Sequence, residues 1–184
     1  MRTSKHGVRN TFILGLLAVL AFIGIGMAAN SQSAPKGSPL IDYQGFEELT
    51  REVFEIREAR LIDMATFNGM KVDADTIILD TRSAFAFEMG HIEGAINLPF
   101  SDFTDEKLAK VIPSKDTRVL IYCNNNFLDN VDPVPVKRVE LALNIPTFIN
   151  LYGYGYENIY ELGDLLHTAD DSVNWVSGFN LQEN

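Results

Sequence analysis

What most constrains this chain is an alternation. Short apolar runs rich in β-branched residues are each followed by a stretch with helical spacing. Thr76-Ile77-Ile78-Leu79 and Val119-Leu120-Ile121-Tyr122 are too short to be helices and have no polar face, so they read as strands buried on both sides. Leu61-Ile62, Ala95 to Leu98 (stopped by Pro99) and Asn158 to Leu162 are further strand candidates. Between them the spacing changes to threes and fours. Phe46, Leu49, Val53 and Ile56 predict an amphipathic helix over 42–58, with Glu47, Glu48, Arg51, Glu52 and Glu55 on its solvated face. Asp63 is placed to cap a short helix carrying Met64, Phe67 and Met70, and Ser83 to Met89 reads as a helix ended by Gly90. Ser101 or Asp102 is expected to cap a helix running through Val111, and Asn144 to cap one over 145–154, with Pro146 tolerated in the first turn. The stretch 165–175 is less regular.

Strands alternating with helices imply an α/β fold: a central parallel sheet covered by helices on both faces. Open sheets of this kind place their sites at the carboxyl ends of the strands. Asp80 and Cys123 both fall at such ends.

The first 39 residues have a different character. Arg2, Lys5 and Arg9 precede an uncharged run from Thr11 to Ala29, and small residues follow near Ala28 and Ala29, where a signal peptidase can cut. The run from Phe12 to Ala29 is 18 residues, about the length of a bilayer-spanning helix, so residues 1–29 are expected to be a secretory signal or a membrane anchor. A lipid anchor is not expected, because no cysteine follows the run. Residues 30–39, NSQSAPKGSP, read as a linker, and residues 40–184 as one domain. The expected location is periplasmic or secreted, or the inner membrane facing the periplasm, with membrane contact only if the leader stays attached.

The leader holds three of the 15 basic residues, which leaves 12 against 25 acidic ones, near −13. Nucleic acids and anionic membrane surfaces are therefore poor partners. The single cysteine has no internal partner for a disulfide. His6, His91 and His167 lie far apart in sequence and no Cys/His spacing suits zinc, so neither a metal nor another cofactor is expected.

Cys123 ends a buried strand and opens a loop. A thiol there becomes a nucleophile if backbone N–H groups or positive charge stabilise its thiolate. Asn124-Asn125-Asn126 suits a loop that curls around sulfur, because asparagine tolerates left-handed backbone and its amide adds donors. The alternative is a small core residue before a turn. Arg82 is placed to pair with Asp80, and a turn histidine such as His91 ordinarily packs and hydrogen-bonds rather than moving protons.

Taken together, Asp80-x-Arg82, Phe85 or Phe87, and Gly90-His91-Ile92-x-Gly94-Ala95-x-Asn97-x-Pro99 resemble the N-terminal signature of rhodanese-like domains. VLIYC, residues 119–123, resembles the strand that carries their active-site cysteine, and Leu151 to Leu162 the helix and strand after it. The resemblance spans roughly residues 60 to 166. It implies a three-layer sandwich around a parallel sheet. It also implies transfer of sulfane sulfur through a persulfide on Cys123, with Asn124, Asn125, Asn126, Phe127, Leu128 and Asp129 as the loop cradle. Asp80, Arg82, His91, Lys137 and Arg138 are candidate supporting residues.

The sequence departs from that pattern in two ways. The cradle Asn124 to Asp129 has no basic residue. The helix that should follow it starts near Asn144, 21 positions after Cys123, which implies an insertion over about 130–143, stiffened by Pro133 and Pro135. Lys137 and Arg138 in this insertion either fold back to supply the missing charge or face solvent. Three readings stay open. The first is a sulfurtransferase that takes sulfur from thiosulfate or a persulfide and yields it to a thiol or cyanide. The second is a non-catalytic or redox-sensing module that binds a periplasmic protein through the insertion or the tyrosines 152, 154 and 156. The third is a cysteine phosphatase, which ranks last because no arginine closes the loop.

Overall fold

The computed structural model describes residues 40–177. The chain separates into two units between Leu40 and Ile41, and every regular element of the described residues belongs to the second unit. The expected leader and linker lie outside the described residues. No helix among the described residues is long and apolar enough to cross a membrane.

In chain order the regular elements are α1 (Tyr43–Arg57), β1 (Leu61–Ile62), α2 (Met64–Met70), β2 (Thr76–Asp80), α3 (Ala84–Met89), β3 (His91–Ile92), β4 (Ala95–Asn97), α4 (Asp105–Val111), β5 (Arg118–Tyr122), α5 (Asn144–Gly153), β6 (Ile159–Leu162) and β7 (Trp175–Val176). Five strands form one sheet in the order β1-β6-β5-β2-β4, and every pairing in it is parallel. β3 and β7 form a small antiparallel pair beside it.

The alternation along β5 builds the layers. Val119 and Ile121 join one core cluster with Val53, Leu108, Phe148 and Leu151, while Leu120 and Tyr122 join a second with Met64, Phe67 and Phe127. These four β5 side chains are fully buried, with Arg118 at the strand start only partly so. The result is the expected α/β sandwich, with helices α1, α4 and α5 contributing to one core face and α2 to the other. Tyr156 is buried, and Tyr152 and Tyr154 pack against the first cluster, so these tyrosines are packing residues.

Side-chain caps start four of the helices. Asp42 Oδ1 accepts from Gly45 N–H at 2.9 Å, Asp63 Oδ1 from Thr66 N–H at 2.7 Å, and Ser83 Oγ from Ala86 N–H at 3.2 Å. Two expected starts are corrected. Residues 100–102 form a 3₁₀ turn, so neither Ser101 nor Asp102 caps α4; Thr104 does, accepting from Lys107 N–H at 3.2 Å. Asn144 is the first residue of α5 rather than its cap, and its side chain is used elsewhere.

The segment 130–143 is fastened down rather than loose. Val134 is 1% exposed and belongs to the second core cluster. Burying a valine side chain is worth about 1.5 kcal/mol or somewhat more. Polar straps add to this: Asn124 Nδ2 donates to Pro135 O at 2.9 Å, Asn125 Nδ2 to Lys137 O at 2.8 Å, and Lys137 N–H to Asn125 Oδ1 at 2.9 Å. Arg82 Nη1 also donates to Pro133 O at 3.2 Å.

Candidate functional site

β5 delivers Cys123 to the carboxyl edge of the sheet, with the thiol 1% exposed. The backbone N–H groups of Asn144, Asn125 and Leu143 favour the anionic form of the sulfur. Two of these three come from the start of α5, so the insertion does not separate the cysteine from the helix that follows it. The chain leaves at Cys123, makes its excursion and returns the helix N-terminus to the sulfur, where the positive end of the helix dipole favours a thiolate. Burial acts in the opposite direction and is the larger effect. Desolvation pushes the Cys123 thiol up, the three N–H groups draw it partly down, and the Glu161 charge adds to the rise.

Asn125 keeps its backbone N–H at the sulfur, but the side-chain amides of the three asparagines bond protein groups rather than an anion. Residues 124–126 form a 3₁₀ turn, and the positive-φ asparagines are Asn130 and Asn174 instead. The amide nitrogens of Asn124, Asn125 and Asn126 each donate to a protein carbonyl. Asn124 and Asn125 strap the insertion, and Asn126 Nδ2 donates to Leu162 O at 2.8 Å and to Asp164 O at 3.1 Å. Asn126 Oδ1 accepts from Cys123 N–H at 2.9 Å and from Asn144 Nδ2 at 3.3 Å, which ties β5, β6 and α5 together around the thiol.

The rest of the expected cradle turns away. Phe127 is a core residue, edge-on to Tyr122 and Trp175. Leu128 is half exposed, with its N–H on Leu166 O at 2.7 Å. The Asp129 carboxylate holds Thr168 through its N–H at 2.9 Å and its hydroxyl at 3.0 Å. Burial raises the Asp129 pKa, but the Thr168 bonds outweigh it and leave the group below the usual carboxylate range.

Asp80 and Arg82 form the expected pair, fully buried. Arg82 Nε donates to both carboxylate oxygens, at 3.0 and 3.1 Å, and Nη2 reaches Gly90 O at 2.7 Å. Tyr122 Oη donates to Asp80 Oδ2 and accepts from Ile92 N–H at 3.2 Å. This network joins β2, β5 and the Gly90-His91 turn, and it leaves Arg82 with its charge already balanced. His91 Nδ1 hydrogen-bonds Phe87 O at 2.8 Å while its ring stacks on Phe87 at 3.8 Å, a packing arrangement. Of the two insertion cations, Lys137 lines a pocket with Asn124 and Leu143, the neighbours of the thiol, whereas Arg138 is exposed and lines no described pocket.

That pocket holds about 340 Å³ and is walled by Phe85, Met89, Pro133 and Pro135, with Arg82, Asp132 and Lys137 as its charged members. Leu143, Asn144 and Glu161 are parts of the site that were not expected from sequence. The helix start at Asn144 was legible; its return to Cys123 depends on a path through 130–143 that no local pattern encodes. Among the described residues no cluster of His, Cys, Asp and Glu is arranged to hold a metal ion.

The rhodanese-like domain model matches residues 63–162, more than half of the 184-residue chain. The chain belongs to the rhodanese-like domain family. Among curated relatives, the tRNA uridine(34) hydroxylase of Bradyrhizobium diazoefficiens is 35% identical over 69 residues, which is 36% of this chain and 27% of that protein. The enzyme of the same name from Enterobacter sp. strain 638 is 29% identical over 87 residues, 45% of this chain and 24% of that one. The chain thus spans about a quarter of the length of these relatives. Among solved structures, a rhodanese with anions from E. coli is 23% identical, with a TM-score of 0.38, over 56% of this chain and 99% of its own.

Proposed function

We propose that this rhodanese-like domain is a sulfurtransferase that carries sulfane sulfur on Cys123. One observation carries the reading: a buried thiol sits at the carboxyl end of the central strand, where three backbone N–H groups favour its anion, two of them from the start of α5. The Cys123 thiolate attacks the outer sulfur of a donor, the donor's S–S bond breaks, and the leaving group, a thiolate from a persulfide or sulfite from thiosulfate, takes up the thiol proton. The N–H groups then hold the charge of the Cys123 persulfide. A thiol acceptor or cyanide removes the outer sulfur and restores the cysteine. The relatives named for tRNA uridine hydroxylation do not extend this to tRNA. They share only part of their length with the chain, and a net charge of −10 opposes binding to a polyanion. The apolar run at residues 12–29 supports work outside the cytoplasm, as a periplasmic, secreted or membrane-anchored form.

A second reading, a partner-binding module with an inert cysteine, is favoured by the burial of the thiol and by the bonding of the Asn124, Asn125 and Asn126 amide nitrogens to the protein itself. Intact mass decides between them. Wild type and Cys123→Ser are incubated with polysulfide and with thiosulfate. A gain of one sulfur on wild type alone, released by cyanide, supports the carrier. No gain with either donor, and no alkylation of the folded protein, leaves the binding module.

A further inference from the structure

The pocket beside Cys123 has a chemistry that inorganic thiosulfate does not match. Thiosulfate is a dianion that offers only acceptors. Arg82, the buried cation of the pocket, is already neutralised by Asp80. Lys137 is the remaining cation of its lining, and Asp132 lies in the same lining with the opposite sign. Among the described residues neither side chain is in an ion pair or a side-chain hydrogen bond. Asn124 is 9% exposed and its Oδ1 is a buried acceptor with no partner. Its orientation is fixed, because Nδ2 is held by Pro135 O at 2.9 Å. Apolar walls from Phe85, Met89 and the prolines suit an aliphatic stem.

We propose that this pocket admits an amino-acid-type persulfide, an organic donor whose carboxylate meets Lys137 and whose ammonium meets Asp132, in preference to thiosulfate. The proposal rests on the sulfur-carrier reading and narrows its substrate class. In the loading step the bond formed joins Cys123 Sγ to the terminal sulfur of the donor, and the bond broken is the donor's S–S bond. The Cys123 proton ends on the released amino-acid thiol, so no external oxidant or reductant is needed.

The test compares loading of the full protein by the persulfides of cysteine, cysteamine and 3-mercaptopropionate, with thiosulfate alongside, by the rate of single-sulfur mass gain. Cysteamine lacks the carboxylate and 3-mercaptopropionate lacks the ammonium, so wild type alone tests both contacts. The expected result is that cysteine persulfide loads about tenfold faster than either truncated donor, and faster than thiosulfate. Lys137→Ala should slow cysteine persulfide about fivefold to tenfold while leaving cysteamine persulfide nearly unchanged. Equal rates for the three persulfides, or thiosulfate as the fastest donor, would overturn the proposal while leaving the carrier intact. If polysulfide also fails to load Cys123, the carrier reading falls, and this proposal with it.

Discussion

Arg57, the last residue of α1, forms a bidentate pair with Glu161 of β6, Nε and Nη2 each meeting one carboxylate oxygen at 2.5 and 2.9 Å. Asn144 Nδ2 donates to the same Glu161 Oε1 at 3.2 Å. The helix that precedes the family match therefore reaches the cysteine site through two side chains. The Glu161 carboxyl is nearly buried, at 8% side-chain exposure, whereas Arg57 is 42% exposed. Removing Arg57 leaves a desolvated carboxylate without its counter-charge. For Arg57→Ala a loss of about 2 kcal/mol is expected, below the ~3–5 of a fully buried pair because Arg57 is partly solvated. Urea denaturation measures it.

The same pair gives two changes of opposite sign at the thiol. The Glu161 charge raises the Cys123 pKa. Glu161→Gln keeps an acceptor for Asn144 and removes the charge, so the thiolate fraction at neutral pH rises and iodoacetamide reacts faster, by about twofold to fivefold. Arg57→Ala unmasks the charge and should slow the same reaction. Equal effects in one direction would mean that the pair acts on Cys123 only through packing.

The pH profile of the thiol follows from its burial. The folded pKa is raised, so the neutral form is the one the fold favours. Below that pKa the thiolate fraction changes about tenfold per pH unit, and alkylation of native protein should climb at that slope without a plateau in the neutral range. The linkage has the matching sign: this contribution to stability is fully present below the unfolded thiol pKa and is lost as pH rises through the folded one. A plateau near pH 7 would show that the three N–H groups dominate over desolvation.

The strands and their direction were legible because burial on both faces leaves its mark in sequence. Residues 76–79 and 119–122 have no polar side to misplace. The Asp80–Arg82 pair was legible for a similar reason, since a charge at a strand end needs a near partner. The fate of the asparagines was not. Asn124 to Asn126 have the composition of a tight, anion-binding turn, and what redirected them is tertiary: the carbonyls of Pro135 and Lys137 take their N–H groups. The Trp175–Val176 strand was not legible in sequence, because two residues pairing with His91–Ile92 carry no periodicity.

Val134 is the anchor of the insertion, and its truncation separates fastening from shape. Val134→Ala removes two buried methyl groups from the second core cluster, at a cost of about 1–2 kcal/mol. The asparagine straps remain, so the segment should loosen locally before the domain unfolds. Cleavage by a nonspecific protease within 130–143 should accelerate more than the change in global stability accounts for, and Cys123 alkylation should rise with it. Parallel changes in cleavage and global stability would show that the segment opens only with the whole domain.

Gly90 is required by proximity rather than by backbone strain. Its φ of 168° is extended, which any residue adopts, but a Cβ there would lie 2.3 Å from Nε1 of Trp175 and 2.7 Å from its Cε2. Trp175 in turn packs edge-on against Phe127 at 5.0 Å and lies 5.4 Å from the Arg82 guanidinium, and Gly90 O accepts from Arg82 Nη2. Gly90→Ala must therefore push back the indole or the β3 backbone, costing about 1–3 kcal/mol. Trp175 is the chain's only tryptophan, so its emission reports the change directly: a red shift in the folded protein is expected as the ring moves toward water. Because Arg82 also holds Pro133, the displacement should reach the mouth of the pocket and slow sulfur loading of Cys123. Wild-type emission and loading in a stably folded Gly90→Ala protein would mean that the contact is relieved at the indole alone and that the Gly90-His91 turn does not support the site.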